Sequence, residues 1–104
     1  MNEASTNSPN DLIALVHQRI APLLPAGYRV VLFGSWAKGT ATPRSDLDIA
    51  IDGPQAIERT LWTKILNIIE ELPTLRKIDC VDTHQVGERL RQEILTTGKE
   101  LVYE

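Results

Sequence analysis

The chain has 104 residues, of which 42% are hydrophobic and 24% charged, a size and balance that give one globular domain with a core of its own. Its net charge of −3 argues against duplex nucleic acid as a partner, because a phosphate-backbone footprint needs a basic surface. A single cysteine, Cys80, excludes an internal disulfide or a cysteine metal cluster, no stretch approaches the roughly 20 apolar residues of a membrane span, and the N-terminus lacks a signal core, so a cytoplasmic protein is expected.

Residues 1–9 are small and polar and read as a flexible leader to a single folded domain over 10–104. Ser8 or Asn10 can cap a first helix, in which Leu12, Val16, Ile20 and Leu23 recur at helical spacing with Ile13 and Leu24 beside them. Pro25-Ala26-Gly27 ends it, and "YRVVLF" (28–33) reads as a buried strand. Gly34-Ser35 turns the chain into a short helical segment around Trp36 to Lys38, followed by the loop "TATPR". "DLDIAID" (46–52) alternates carboxylates with apolar residues at the period of a strand, and Gly53-Pro54 stops it. From Gln55 to Leu72, Ile57, Leu61, Ile65, Ile68 and Leu72 form an amphipathic helix, with Trp62, Leu66 and Ile69 widening its stripe until Pro73. "RKIDCVD" (76–82) is a third strand. Asp82 or Thr83 can cap a last helix carrying Val86, Leu90 and Ile94, Gly98 can stop it, and "ELVYE" can add a final strand. The alternation predicts an α+β (α/β two-layer) domain, a mixed sheet of about four strands flanked by helices.

Residues two apart on a strand point to the same side, so Asp46 and Asp48 project together, about 7 Å apart. Two such charges repel unless a cation joins them, and Mg²⁺ is commonly held by one or two carboxylates plus substrate phosphates. If the strand of Asp79 is the neighbour, about 5 Å away, its carboxylate joins the pair and a two-metal site becomes possible. Gly34 lets a phosphate approach the backbone, Ser35 adds a hydroxyl, and Lys38 lies one turn on to neutralise phosphate charge. A Gly-Ser turn alone, or a D-x-D pair alone, is usually only local structure. Their conjunction across an eleven-residue step from Ser35 to Asp46 is more specific. Arg44, Arg76 and Lys77 are the cations that could offset these carboxylates without a metal.

These residues carry a family resemblance. Gly34-Ser35, the spacer and Asp46-Leu47-Asp48 resemble the signature of the DNA polymerase beta-like nucleotidyltransferase superfamily, and "GSWAKGTATPRSDLDIAI" in a short chain looks like its minimal nucleotidyltransferase (MNT) branch. The resemblance spans the ordered chain and implies Mg²⁺ and ATP binding, with Asp46 and Asp48 as metal ligands. It assigns Asp79 as the third carboxylate, a ligand that also helps activate the attacking hydroxyl. Asp82 is the rival for that place, three residues on, where capping is the simpler role. Position 38 often holds arginine in this branch, and Lys38 keeps the charge without the planar fork. Relatives that modify small antibiotics carry a further helical domain for the acceptor, so the acceptor here is expected to come from another protein.

Small members of the branch commonly act as antitoxins to a HEPN-domain ribonuclease toxin. The resemblance therefore implies transfer of AMP to a hydroxyl, a tyrosine for preference, on such a toxin, with Asp79 assisting deprotonation and pyrophosphate leaving from Mg²⁺ on Asp46 and Asp48. Two rivals stand beside it: a non-catalytic module that sequesters the toxin, and a small-molecule nucleotidyltransferase completed by another subunit. The breadth of the isoleucine-rich helix around Trp62 also allows a homodimer or hetero-oligomer. His17 reads as a solvated helix residue, His84 as a first-turn residue near Asp82, and Cys80 as a small core residue facing away from Asp79.

Overall fold

The computed structural model describes residues 8–102. Its elements run α1 (Pro9–Ile20), a 3₁₀ turn (Ala21–Leu23), β1 (Arg29–Phe33), α2 (Ser35–Lys38), β2 (Leu47–Asp52), α3 (Arg59–Glu70), β3 (Ile78–Asp82), α4 (Glu88–Thr97) and β4 (Lys99–Glu100). Of the expected leader, residues 1–7 lie outside the described residues, whereas Ser8 and Pro9 already belong to the start of α1. The Ser8 hydroxyl accepts from the Asp11 amide and Pro9 occupies the first turn, where a missing N–H costs nothing.

The four strands form one sheet in the order β3-β2-β1-β4. β1 pairs antiparallel with β2 and β4, and β2 pairs parallel with β3, so the sheet is mixed. A parallel neighbour requires a crossover, and α3 supplies it between β2 and β3.

Strand pleating sorts the side chains onto two faces. Val30, Leu32, Leu47, Ile49 and Ile51 face α1 and α3, where they meet Leu12, Val16, Ile20 and Ile65 in the larger core. Each aliphatic side chain fully buried here stabilises by about 1.5–3 kcal/mol relative to exposure. The opposite face carries Val31, Phe33 and Ala50, and α4 covers them through Ile94 and Leu90. The helical layer expected from sequence is therefore α1 with α3, and α4 adds a partial layer on the other face. That partial cover leaves part of β2 and β3 open on the α4 side.

Several boundaries differ from expectation. α3 begins at Arg59 rather than Gln55, because the Ile57 amide donates to Asp82 Oδ2 at 2.9 Å and Glu58 caps the helix through the amides of Thr60 and Leu61. β3 begins at Ile78 rather than Arg76. Neither Asp82 nor Thr83 caps the last helix, which starts at Glu88 after Gly87. Asp82 is buried and instead accepts from the amides of Ile57 and His84, and buried Thr83 donates to Asp52 Oδ1 at 2.7 Å. The last strand lies at Lys99–Glu100, and the Leu101 amide continues its pairing to the Val30 carbonyl. Tyr103 and Glu104 of the expected strand lie outside the described residues.

Candidate active site

The open part of the α4 face carries Asp48 and Asp79 side by side. In the parallel ladder Asp48 stands opposite Asp79, register partners on adjacent strands. Asp46 precedes β2 and is exposed, and its charge still acts on Asp48. Burial, then the charges of Asp79, Asp46 and Glu93, push the Asp48 carboxyl above its ordinary 3.8, with Lys77 opposing them. Like charges are thus gathered where burial already disfavours ionisation.

β1 and β2 are antiparallel, so the end of β1 returns beside this cluster, with Phe33 opposite Asp48. The next residue, Gly34, adopts φ +75°, and a β-carbon there would collide with the Asp48 carboxylate. Glycine is needed on both counts. Its carbonyl accepts from the amides of Ala37 and Lys38, which closes α2 directly behind Ser35. Gly34, Ser35 and the carboxylates therefore share one end of the sheet, as the sequence spacing predicts.

Lys38 is not solitary. Its ammonium lies 3.0 Å from Glu93 Oε2 on α4, with both side chains partly exposed. Sequence reading missed Glu93, which sits far along the chain on the polar side of an ordinary amphipathic helix and carries no local signal. Lys77, one of the expected compensating cations, lies 3.8 Å from Asp79 Oδ1. Arg76 is engaged elsewhere: Nη1 donates to the Ser45 carbonyl at 2.7 Å, and its guanidinium sits 5.3 Å from the centroid of the Trp36 ring. This pair ties the strand approach at 76 to the loop before β2.

Among the described residues, no three His, Cys, Asp or Glu side chains already converge as a ready-made ligand set. The donor chemistry nevertheless suits a divalent cation completed by substrate. Hard oxygen ligands are present at Asp46, Asp48 and Asp79, and Mg²⁺ usually takes only one or two carboxylates with phosphates and water. A cation would also offset the burial and the like-charge repulsion that together raise Asp48.

The remaining ionisable candidates have structural explanations. Asp82 spends its carboxylate on backbone amides, which removes it as the third carboxylate of the cluster. His84 Nε2 donates to the Gly53 carbonyl at 2.6 Å. Cys80 packs against the larger core, and burial, followed by the charge of Asp82, pushes its thiol up to about 12. That keeps it unreactive at neutral pH.

A family model described as polymerase beta, nucleotidyltransferase matches residues 28–104, from just before β1 onwards. The chain belongs to that nucleotidyltransferase family. A candidate protein adenylyltransferase of Methanocaldococcus jannaschii is 34% identical over 68 residues, which cover 57% of this nucleotidyltransferase and 53% of that protein. The protein adenylyltransferase MntA of Shewanella oneidensis is 29% identical over 93 residues, covering 88% of this chain and 63% of its own. The chain thus matches little more than half, and under two thirds, of these two curated relatives. A solved structure described as a candidate minimal nucleotidyltransferase superposes with a TM-score of 0.65 at 27% identity, over 88% of this chain and 94% of that one. A complex of a tri-AMPylated Shewanella oneidensis HEPN toxin with its MNT antitoxin contains a chain of the same fold, with a TM-score of 0.50 at 24% identity over 86% and 71% of the two chains. Within the described residues no helix is long and apolar enough to cross a membrane.

Proposed function

We propose that this nucleotidyltransferase transfers AMP from ATP to a hydroxyl, a tyrosine, on a partner HEPN-type toxin, and so acts as that toxin's antitoxin. The observation that carries the proposal is the register pair of Asp48 and Asp79 beside the Gly34-Ser35 turn. The relatives named as protein adenylyltransferases, and the tri-AMPylated toxin in the neighbouring complex, support the choice of nucleotide and acceptor.

Each residue then has a task. Gly34 admits the triphosphate to the backbone, and the Ser35 hydroxyl donates to a phosphate oxygen. Lys38 leaves Glu93 to neutralise phosphate charge. Asp46, Asp48 and Asp79 would hold Mg²⁺, which when bound neutralises charge on the attacking and leaving oxygens. Asp79 accepts the proton of the acceptor hydroxyl as that oxygen attacks the α-phosphorus, and pyrophosphate departs. Since Asp48 and Asp79 stand on neighbouring strands of one sheet, their separation is fixed by backbone hydrogen bonding.

The test is to incubate the chain with the protein encoded beside it, Mg²⁺ and each nucleoside triphosphate, and to read the partner's intact mass. A gain of one or more AMP masses with ATP, absent with Asp46→Ala/Asp48→Ala, is the expected result. A tight complex with no mass gain would leave a sequestering module instead.

A further inference from the structure

Asp46 is the carboxylate of the cluster that no strand holds. Asp48 lies within β2 and Asp79 within β3, whereas β2 begins one residue after Asp46. Asp46 is exposed, as is most of the loop that leads to it. A side chain at the end of such a loop ordinarily wanders, and a ligand of a small cation has to be placed closely. The fold therefore needs some means of aiming Asp46 other than the ladder.

The two peptide groups that flank Asp46 supply it. The one before carries the Ser45 carbonyl, which accepts from Arg76 Nη1 at 2.7 Å and from Trp36 Nε1 at 3.4 Å, so both lone pairs of that oxygen are used. The one after carries the Leu47 amide, which donates to the Lys77 carbonyl at 3.0 Å. A peptide group is planar and both planes end on the Asp46 α-carbon, so holding them restrains its backbone torsions and the direction in which its side chain leaves. The two holders are consecutive, Arg76 and Lys77, immediately ahead of the strand that carries Asp79. Ser45 is fastened from its own side as well: its amide donates to the Thr42 carbonyl at 2.9 Å and its hydroxyl accepts from the Thr42 amide at 2.8 Å. Arg76 is preset for the task by Trp36, whose ring lies 5.3 Å from the guanidinium, and a charged donor makes the bond to the carbonyl stronger than a neutral one.

We propose that Arg76 is a positioning residue for Asp46: through the Ser45 carbonyl it sets the peptide plane from which that carboxylate departs, and so ties it to the strand that carries Asp79. The inference rests on the reading of Asp46 as a cation ligand given above. The approach to β3 thereby aims one carboxylate while the strand itself supplies another, and the two keep their separation even if the exposed loop moves. Because the same guanidinium lies against Trp36, the residue after Ser35, the Gly34-Ser35 turn is braced by the same contact. Arg76 serves the cluster through the backbone rather than as a counter-charge to it.

Charge and position predict opposite signs for one substitution, which gives the test. Arg76→Met removes a positive charge near the carboxylates, so by charge alone it should tighten cation binding, and by loss of aim it should weaken it. Arg44→Met makes the same change of charge on an exposed residue beside Ser45 and leaves the carbonyl bonds in place. The chain and its variants are titrated with Mn²⁺ alone, the free ion being counted by electron paramagnetic resonance, and backbone ¹⁵N relaxation is recorded without metal. Arg76→Met should bind Mn²⁺ about tenfold more weakly than wild type, as loss of a group that orients a ligand does. Its order parameters should fall at Ser45 and Asp46 and hold along β2. Arg44→Met should bind as tightly as wild type or more so. Arg76→Lys, with the charge and a donor but no flat fork, should fall between wild type and Arg76→Met. Trp36→Phe keeps the ring and loses the Nε1 donor, so it should shift the same readouts less and decides the matter if Arg76→Met does not fold. Equal or tighter Mn²⁺ binding by Arg76→Met, a loss matched by Arg44→Met, or unchanged order parameters at Ser45 and Asp46 would each overturn the proposal. A wild type that binds no Mn²⁺ would count against the cation reading instead, and the relaxation data would still decide whether Arg76 holds Asp46.

Discussion

Asp48 and Asp52 occupy the same face of the same strand, four residues apart, and their surroundings treat them in opposite ways. Burial acts against the charge of both. At Asp52 it is outweighed by hydrogen bonds from Thr83 and Arg29 and by the Arg29 charge, and the carboxyl falls below its ordinary value. At Asp48 the neighbouring charges are mostly negative, and the carboxyl rises. One end of β2 therefore holds a carboxylate that the fold supplies with favourable partners, and the other holds one whose neighbouring charges are mostly negative, with Lys77 opposing them. The contrast separates a carboxylate satisfied by the fold from one set among like charges more sharply than sequence type or burial does.

Gly34→Ala tests the binding end with the largest expected effect. A β-carbon at φ +75° would press on the Asp48 carboxylate, so stability should fall by about 1–3 kcal/mol. Displacing Asp48 should also slow nucleotidyl transfer by about 10²-fold, as small errors in a reacting geometry do. Denaturant midpoints of Gly34→Ala, Asp48→Ala and the double variant would show whether the collision is the cause; no coupling between the two substitutions would break the explanation.

Asp52→Asn probes the structural end. Because Arg29 is partly exposed, its pair with Asp52 is screened, and the substitution should cost about 1 kcal/mol at pH 7. A depressed folded pKa means this contribution is present above the ordinary 3.8 and disappears as pH falls through the lower folded value. Wild type and variant should therefore converge in urea midpoint as pH falls below 3.8.

Asp48→Asn should give a smaller effect of opposite sign. A raised folded pKa makes the ionised carboxylate destabilising, so with metal chelated at pH 7 the variant should melt above wild type. The advantage should shrink as pH falls through the raised value and vanish below about 3.8, where the group is protonated in both folded and unfolded chains. A variant that melts lower across the whole range would refute the contrast between the two aspartates.

Much of this arrangement is legible in the sequence because it follows from short-range periodicity. "DLDIAID" shows both its core residues, Leu47, Ile49 and Ile51, and its opposite face, and the Gly34-Ser35 turn is marked by residue type. The third carboxylate is legible as a residue on a strand, but its exact opposition to Asp48 depends on parallel register, which local pattern does not encode. The ends of α3 and α4 are misread for a related reason. Asp82 has the composition of a helix cap, yet its carboxylate reaches back across the crossover to Ile57. Lys38 with Glu93, and Arg29 with Asp52, are likewise long-range pairs between surface-type residues that carry no periodic mark.

The pleat of β2 also makes the protein sensitive to counting. Odd positions of the strand point into the hydrocarbon layer and even ones hold Asp48 and Asp52, so oddness and evenness decide which residue is oily support and which carries a charge on the opposite face. Losing or gaining one residue within the strand would exchange the two sets at a stroke, sinking carboxylates and surfacing leucine and isoleucine. The preceding loop can change length without touching that parity. Tolerance of insertions should therefore stop abruptly at Asp46, a boundary drawn by arithmetic rather than by any single contact.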